Sequence, residues 1–94
     1  MFVVLLKYIK PIEEIDKFLI EHRTWLKDGY EKNYFLASGP KLPRNGGVII
    51  SLVKDKEELK KILAEDPFYK EKLAEYEIIE FEPVLYNQVL KNLI

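Results

Sequence analysis

The sequence predicts an α+β domain in which four strands and two helices follow one another as βαββαβ. Three features support this: short apolar runs that favour strands, two segments with apolar residues spaced by three and four, and turn residues between them. This order is that of the ferredoxin-like arrangement, an antiparallel sheet with both helices on one face. The 94 residues, 48% hydrophobic and 33% charged, fit a single packed domain spanning 1–94.

The chain begins with an uninterrupted apolar run at residues 2–6, typical of a strand that is buried on both faces. Pro11 suits the first turn of the helix that follows, and Gly29 is expected to end that helix. The charged side chains of this helix, including Arg23 and Lys27, fall mostly outside its apolar stripe. The stripe consists of Ile12, Ile15, Phe18, Leu19, His22, Trp25 and Leu26.

The middle of the chain contains two strands joined by one long loop. The second strand is predicted at residues 34–38, and the loop at 41–47 is rich in glycine and proline. Residues 48–53 are apolar in both alternating sets apart from Ser51, so they predict a central strand.

The second helix is predicted to begin at Asp55, because Glu58 follows three residues later as in a capping box. Pro67 disfavours helical geometry at the preceding residue, so the helix ends or restarts there. The inward face of this helix is expected to consist of Leu59, Ile62 and Leu63.

The fourth strand is predicted at residues 76–81, with a bulge where the apolar alternation slips between Ile78 and Ile79. After Pro83 the tail predicts a short extra helix that is too short to be stable alone. Its apolar residues at helical spacing are Tyr86, Val89, Leu90 and Leu93.

Composition excludes several classes of function. Fifteen Lys and Arg against sixteen Asp and Glu give a net charge of −1, so there is no global positive field for nucleic acid. The chain has no cysteine and a single histidine, and its carboxylates show no coordination spacing, so we expect no metal and no cofactor. The opening apolar run is too short for a signal peptide or a membrane span, which favours a cytoplasmic protein without a membrane partner.

The expected sheet also predicts a protein partner. Two helices cover only one face, yet the first and third strands are apolar on both faces. An isolated monomer would therefore expose a large apolar surface. A second copy that presses its own sheet against this one is the simplest cover, so we predict a homodimer through the sheet face.

The candidate catalytic residues are His22 and Asp66. His22 lies on the apolar stripe and either is a core imidazole satisfied by a backbone carbonyl or performs acid–base chemistry with a carboxylate that orients it. Asp66 precedes Pro67 near the end of the second helix, beside the first, and is either that carboxylate or an ordinary N-cap; the two roles are compatible.

The candidate substrate-binding residues are Ser38, Gly39 and Arg44. Ser38 and Gly39 leave a strand at the mouth of the long loop, where N–H groups and a hydroxyl can hold a substrate oxygen, although turn geometry explains them equally well. Arg44 on the loop either meets an anionic group or is merely solvated.

The combination of short motifs resembles the YciI-like (YCII-related) proteins over nearly the whole chain. The motifs are His22-Arg23 with Leu26 and Gly29, then Ser38-Gly39-Pro40, Asp66-Pro67-Phe68 and Phe81-Glu82-Pro83. The resemblance implies a dimeric α/β barrel of ferredoxin-like subunits. It also implies a small enzyme with a His-Asp dyad that maps onto His22 and Asp66, with Ser38 nearby. The Lys/Glu-rich segment 70–74 and the long tail depart from the family pattern.

These observations predict a cofactor-free enzyme in which His22, oriented by Asp66, moves a proton on a small polar or aromatic metabolite. Lyase, isomerase and hydrolase chemistry all fit. The alternatives are a module that binds or senses a small molecule without catalysis, because fold does not determine function, and a purely structural dimer.

Overall fold

A computed structural model describes residues 1–94 and shows a four-stranded antiparallel sheet with helices. The strands are β1 (Phe2–Tyr8), β2 (Phe35–Pro40), β3 (Gly46–Ser51) and β4 (Ala74–Glu80), in the spatial order β2-β3-β1-β4. The helices are α1 (Ile12–Lys17), α2 (Leu19–Glu31), α3 (Lys56–Leu63) and α4 (Pro67–Lys70). The predicted ferredoxin-like α+β fold is confirmed, and the predicted C-terminal helix is a single 3-10 turn, Gln88–Leu90.

The core lies between the inner face of the sheet and the helices. β1 is a central strand, and its alternate residues Phe2, Val4 and Leu6 are buried. Val4 pairs with Ile49 of β3 on one side and with Ile78 of β4 on the other, which aligns the apolar residues of three strands on one face. The core cluster consists of Phe2, Val4, Leu6, Ile15, Phe35, Ile49, Val53, Leu59, Leu63, Phe68, Leu73 and Ala74.

The single first helix predicted from the sequence is divided in two at Phe18. Phe18 has φ −114° and ψ 10°, outside helical geometry, and serves as the N-cap of α2. The helix then restarts as the His22 N–H donates to the Phe18 carbonyl at 2.9 Å. Apolar spacing by three and four continues through the break, so the sequence pattern carries no sign of it.

The prediction that Gly29 ends the helix is wrong, because α2 continues to Glu31. Gly29 is buried within the helix, where an added Cβ would collide with the ring of Phe35 on β2. The helix ends instead near Asn33, whose φ of 61° is left-handed, a conformation that asparagine tolerates. Gly29 therefore permits a close helix–sheet approach and does not form a cap.

The bulge predicted in the fourth strand is absent, since β4 pairs with β1 in continuous register. The irregularity lies in β2 instead, between Phe35 and Ala37. Ile78 is half-buried on the inner face and Ile79 is 42% exposed on the outer face, which explains the two consecutive apolar residues without a slip.

The start of α3 is as predicted. The side chain of Asp55 accepts a hydrogen bond from the Glu58 N–H at 3.1 Å, an N-cap that satisfies one free donor of the first turn. Leu59 and Leu63 are buried beneath the helix, and Ile62 packs against the same core. α4 follows α3 after a short connection, and Asp66 in that connection is buried in the interior.

The outer face of the sheet carries no helix and is apolar at its centre. Five of its apolar side chains are Val3, Leu5, Val48, Ile50 and Ile79. The tail after β4 also exposes apolar side chains, with Leu85 91% exposed and Val89 80% exposed. No helix of the structure combines the length and the apolar character needed to cross a membrane.

Candidate active site

His22 lies on the inner side of α2, with its side chain 12% exposed. Its ring stacks on Phe68 of α4 at a centroid distance of 4.0 Å and an interplanar angle of 5°. Trp25, one turn further along α2, stacks at 5.8 Å and 29°. Two aromatic contacts therefore fix the plane of the imidazole.

Asp66 is completely buried and forms the N-cap of α4. Its Oδ1 accepts a hydrogen bond from the Phe68 N–H at 3.0 Å, and Pro67 occupies the first helical position, where no N–H is needed. Asp66 Oδ1 also lies 2.7 Å from Nδ1 of His22. Capping and contact with the histidine thus coexist in one side chain.

The contact with Asp66 determines which imidazole nitrogen is free. An ionised carboxylate only accepts hydrogen bonds, so Nδ1 carries the proton that His22 donates to Oδ1. Nε2 makes no hydrogen bond within the protein, and no unpartnered side-chain nitrogen is buried, so Nε2 is accessible. In the neutral ring this nitrogen has its lone pair available.

Tyr76 is a third member of this group that sequence reasoning missed. It lies on the inner face of β4 opposite Leu6, and its hydroxyl donates to Asp66 Oδ2 at 2.5 Å. Burial, reinforced by the Asp66 carboxylate, raises the pKa of Tyr76 far above its usual value, so the hydroxyl keeps its proton. Strand alternation predicts only that Tyr76 faces inward; nothing in the sequence indicates its partner.

A cavity of about 320 Å³ lies between α2 and the inner face of the sheet, and His22 lines it. Ser38 and Gly39 at the end of β2 also line it, as does Arg44 from the loop between β2 and β3. The structure therefore brings four of the five predicted site residues to one cavity, with Asp66 behind His22. The other lining residues are Leu6, Tyr8, Leu19, Arg23, Leu26, Lys27, Tyr30, Pro40, Gly47, Val48 and Ile49.

Three polar side chains of the cavity, those of Tyr30, Ser38 and Arg44, are held by contacts with each other or with a nearby residue. The hydroxyls of Ser38 and Tyr30 lie 2.7 Å apart, and Arg44 Nη2 donates to Asp16 Oδ1 at 2.7 Å. This hydrogen bond raises the pKa of Arg44. Nowhere does the structure group three or more His, Cys, Asp or Glu side chains in a way that suits a metal ion.

Arg23 and Lys27 fall outside the apolar stripe predicted for the first helix, yet both line this cavity. The reason is geometric. Because residues three and four apart on α2 share a face, Arg23 and Lys27 lie between Leu19 and Tyr30, which line the cavity as well. Both side chains are exposed, so they border the cavity where it meets solvent.

A family model described as the YCII-related domain matches residues 1–82. The chain belongs to the YCII-related family. This match confirms the resemblance to YciI-like proteins that the sequence motifs indicate. The match ends at the start of the tail.

Among solved structures, the fold is similar to that of 5-chloro-2-hydroxyhydroquinone dehydrochlorinase (TftG) from Burkholderia phenoliruptrix AC1100, in a complex with 2,5-dihydroxybenzoquinone. The TM-score is 0.72 at 16% sequence identity, and the match covers 87% of this chain and 94% of that chain. At this identity the likeness shows a shared fold. The search of curated proteins found no match.

Proposed function

We propose that this YCII-related protein is a small cofactor-free enzyme in which His22 is the general acid and base. One observation carries the proposal: Nδ1 is held by a buried carboxylate while Nε2 is accessible on a ring that lines a cavity. This is the arrangement that proton transfer requires, since one nitrogen is fixed and the other is free to meet substrate.

Each side chain around His22 has a distinct part in this mechanism. Nε2 removes a proton from a substrate carbon, hydroxyl or water, and the Asp66 carboxylate stabilises the imidazolium that forms. Tyr76 is a positioning residue, because it holds Asp66 and does not line the cavity. The proton then returns to another substrate atom or to a leaving group, which gives isomerase, lyase or hydrolase chemistry.

The proposed binding residues hold the substrate opposite His22. Ser38 and Tyr30 share one hydrogen bond, so one hydroxyl hydrogen of the pair remains free to donate to a substrate oxygen. Gly39 presents backbone without a side chain at the same wall, and Arg44 is pre-positioned by Asp16. These contacts would orient a substrate and bring its reacting atom to Nε2.

The similar fold of TftG supports a small ring-sized substrate. TftG is named as a dehydrochlorinase, and its complex contains a dihydroxybenzoquinone. The cavity of about 320 Å³ is at the lower end of the range for small-molecule sites, roughly 300–1,000 Å³. We therefore propose a small polar or aromatic metabolite as substrate.

The experiment is a turnover screen of hydroxylated aromatic compounds and small organic acids with the wild type and three variants. His22→Asn keeps an amide that can donate toward Asp66 but removes the base, and should lower kcat about 10²- to 10⁴-fold while the protein stays folded. Asp66→Asn keeps the N-cap but removes the negative charge beside His22, and should also lower kcat. Asp55→Asn is the matched control, because Asp55 caps α3 without any contact with a histidine.

Equal turnover by the wild type and His22→Asn would refute the catalytic proposal. Specific binding of a compound that no preparation converts would favour the alternative, a small-molecule-binding or sensing module. Circular dichroism of each variant separates loss of the catalytic group from loss of the fold.

We also propose that the protein is a cytoplasmic homodimer joined through the outer face of the sheet. The apolar side chains at the centre of that face, such as Leu5 and Val48, are only half-buried within one chain, and no helix covers them. The absence of cysteine suits a reducing compartment. Sedimentation should give a dimer that Leu5→Asp converts to a monomer; a wild-type monomer at micromolar concentration would contradict this proposal.

A further inference from the structure

The charged side chains that line the cavity are all positive. Arg23, Lys27 and Arg44 contribute to the wall, whereas none of the sixteen acidic side chains does. The chain as a whole has a net charge of −1, so the excess of positive charge in the cavity wall does not reflect the composition of the whole chain. A cavity lined by one sign of charge concentrates ligands of the opposite sign.

Two of these cations have no acidic partner. Arg44 is paired with Asp16, whereas none of the ion pairs in the structure includes Arg23 or Lys27. Arg23 and Lys27 lie four residues apart on α2, where like charges repel each other. An anion between them would relieve that repulsion.

We propose that the cavity binds a small organic anion, a carboxylate or a phenolate on a ring-sized apolar body. This inference rests on the proposed function, because it names the substrate class of the same cavity. Arg23 and Lys27 hold the anionic oxygen at the solvent side, and the apolar body lies deeper in the cavity, toward His22.

The remainder of the wall fits such a ligand. Its apolar part can enclose a ring, and includes Leu6, Leu19, Leu26 and Ile49. The guanidinium of Arg23 offers paired N–H donors that match a carboxylate, and Lys27 adds a mobile point charge. The anion thereby orients the ligand, while the hydroxyls of Tyr30 and Ser38 contact its other polar groups.

The test is an NMR titration with benzoate and 4-nitrophenolate as anionic probes and benzamide as a neutral probe of similar shape. Binding in the cavity is read from the imidazole signals of His22, the only histidine. The variant is Arg23→Gln/Lys27→Gln. The control is Lys56→Gln/Lys60→Gln, which removes two cations at the same spacing from α3, outside the cavity.

In the wild type at least one anion should bind more tightly than benzamide, with an affinity that falls as salt increases. Arg23→Gln/Lys27→Gln should weaken anion binding about tenfold, as two exposed ion pairs predict, and leave benzamide within about twofold. The control variant should bind the anions and benzamide as tightly as the wild type does. Benzoate against 4-nitrophenolate distinguishes a carboxylate site from a phenolate site.

Equal binding of benzamide and both anions, unaffected by Arg23→Gln/Lys27→Gln, would overturn the anion inference and leave the small-molecule site intact. If no probe perturbs the His22 signals at millimolar concentration, both the inference and the proposed binding cavity fail.

Discussion

Replacing Tyr76 with Phe tests the buried network around Asp66, because it deletes a single hydroxyl. The phenylalanine ring occupies the same space as the tyrosine ring, so the change removes no more than the volume of the hydroxyl from the packing. Asp66 Oδ2 loses the hydrogen bond from the Tyr76 hydroxyl, and the carboxylate is completely buried, so water cannot replace it freely. A hydrogen bond to a buried charged group contributes about 1.5–3 kcal/mol to the free energy of unfolding.

For a domain of 94 residues, a loss of about 2 kcal/mol lowers Tm by about 8–16 °C. Urea denaturation at matched protein concentration gives the same quantity as a lower midpoint with an unchanged slope. The control is Tyr69→Phe: Tyr69 is 51% exposed, makes no side-chain hydrogen bond and touches the Tyr76 ring, and its loss should stay within about 0.5 kcal/mol. If both variants lose the same amount, the hydroxyl of Tyr76 does not support Asp66 and the reasoning fails.

Two further predictions follow from the same packing. The pKa of the Tyr76 hydroxyl is higher in the folded protein than in the unfolded chain, where it is about 10. The stabilisation that this hydroxyl provides is therefore complete below pH 10 and is lost as the pH rises above that value. The stability gap between the wild type and Tyr76→Phe, measured by urea denaturation, should therefore narrow from pH 9 to pH 11; a constant gap would contradict the assignment. Gly29→Ala should destabilise the protein by about 1–3 kcal/mol, since the added Cβ would overlap the ring of Phe35. Gly39→Ala is the control and should leave stability unchanged, because a Cβ at Gly39 would have no atom within 4 Å. Equal urea midpoints for the two variants would refute the close approach of Gly29 to Phe35.

The four strands and their order along the chain could be predicted from the sequence because apolar runs and turn residues mark them locally. The run at residues 2–6 and that at 48–53 are apolar on both alternating sets, which marks central strands, and β1 and β3 are indeed neighbours in the sheet. The break at Phe18 could not be predicted, because a helix can be interrupted without disturbing its apolar spacing. Gly29 was misread because the close approach of Phe35 is a tertiary contact that no local pattern records.

In the candidate site, too, the sequence indicates individual residues but not the contacts that depend on tertiary packing. His22 was visible as a lone imidazole on an apolar stripe, and Asp66 as an acidic residue before a proline. The distance of 2.7 Å between them depends on how α2 and α4 meet, which the sequence does not encode locally. Tyr76 was missed for this reason, and Arg23 and Lys27 were not identified as cavity residues because charged residues at the border of a cavity and on a free surface look alike in a sequence.

Imidazole ¹⁵N NMR of the single histidine tests the central claim most directly, because only one set of ring signals is present. The account predicts that neutral His22 is protonated at Nδ1, which donates to Asp66, and unprotonated at Nε2, and that Asp55→Asn leaves this unchanged. A neutral ring that is protonated at Nε2 and unprotonated at Nδ1 would contradict the account. The nitrogen that the mechanism needs as a base would then already carry the proton.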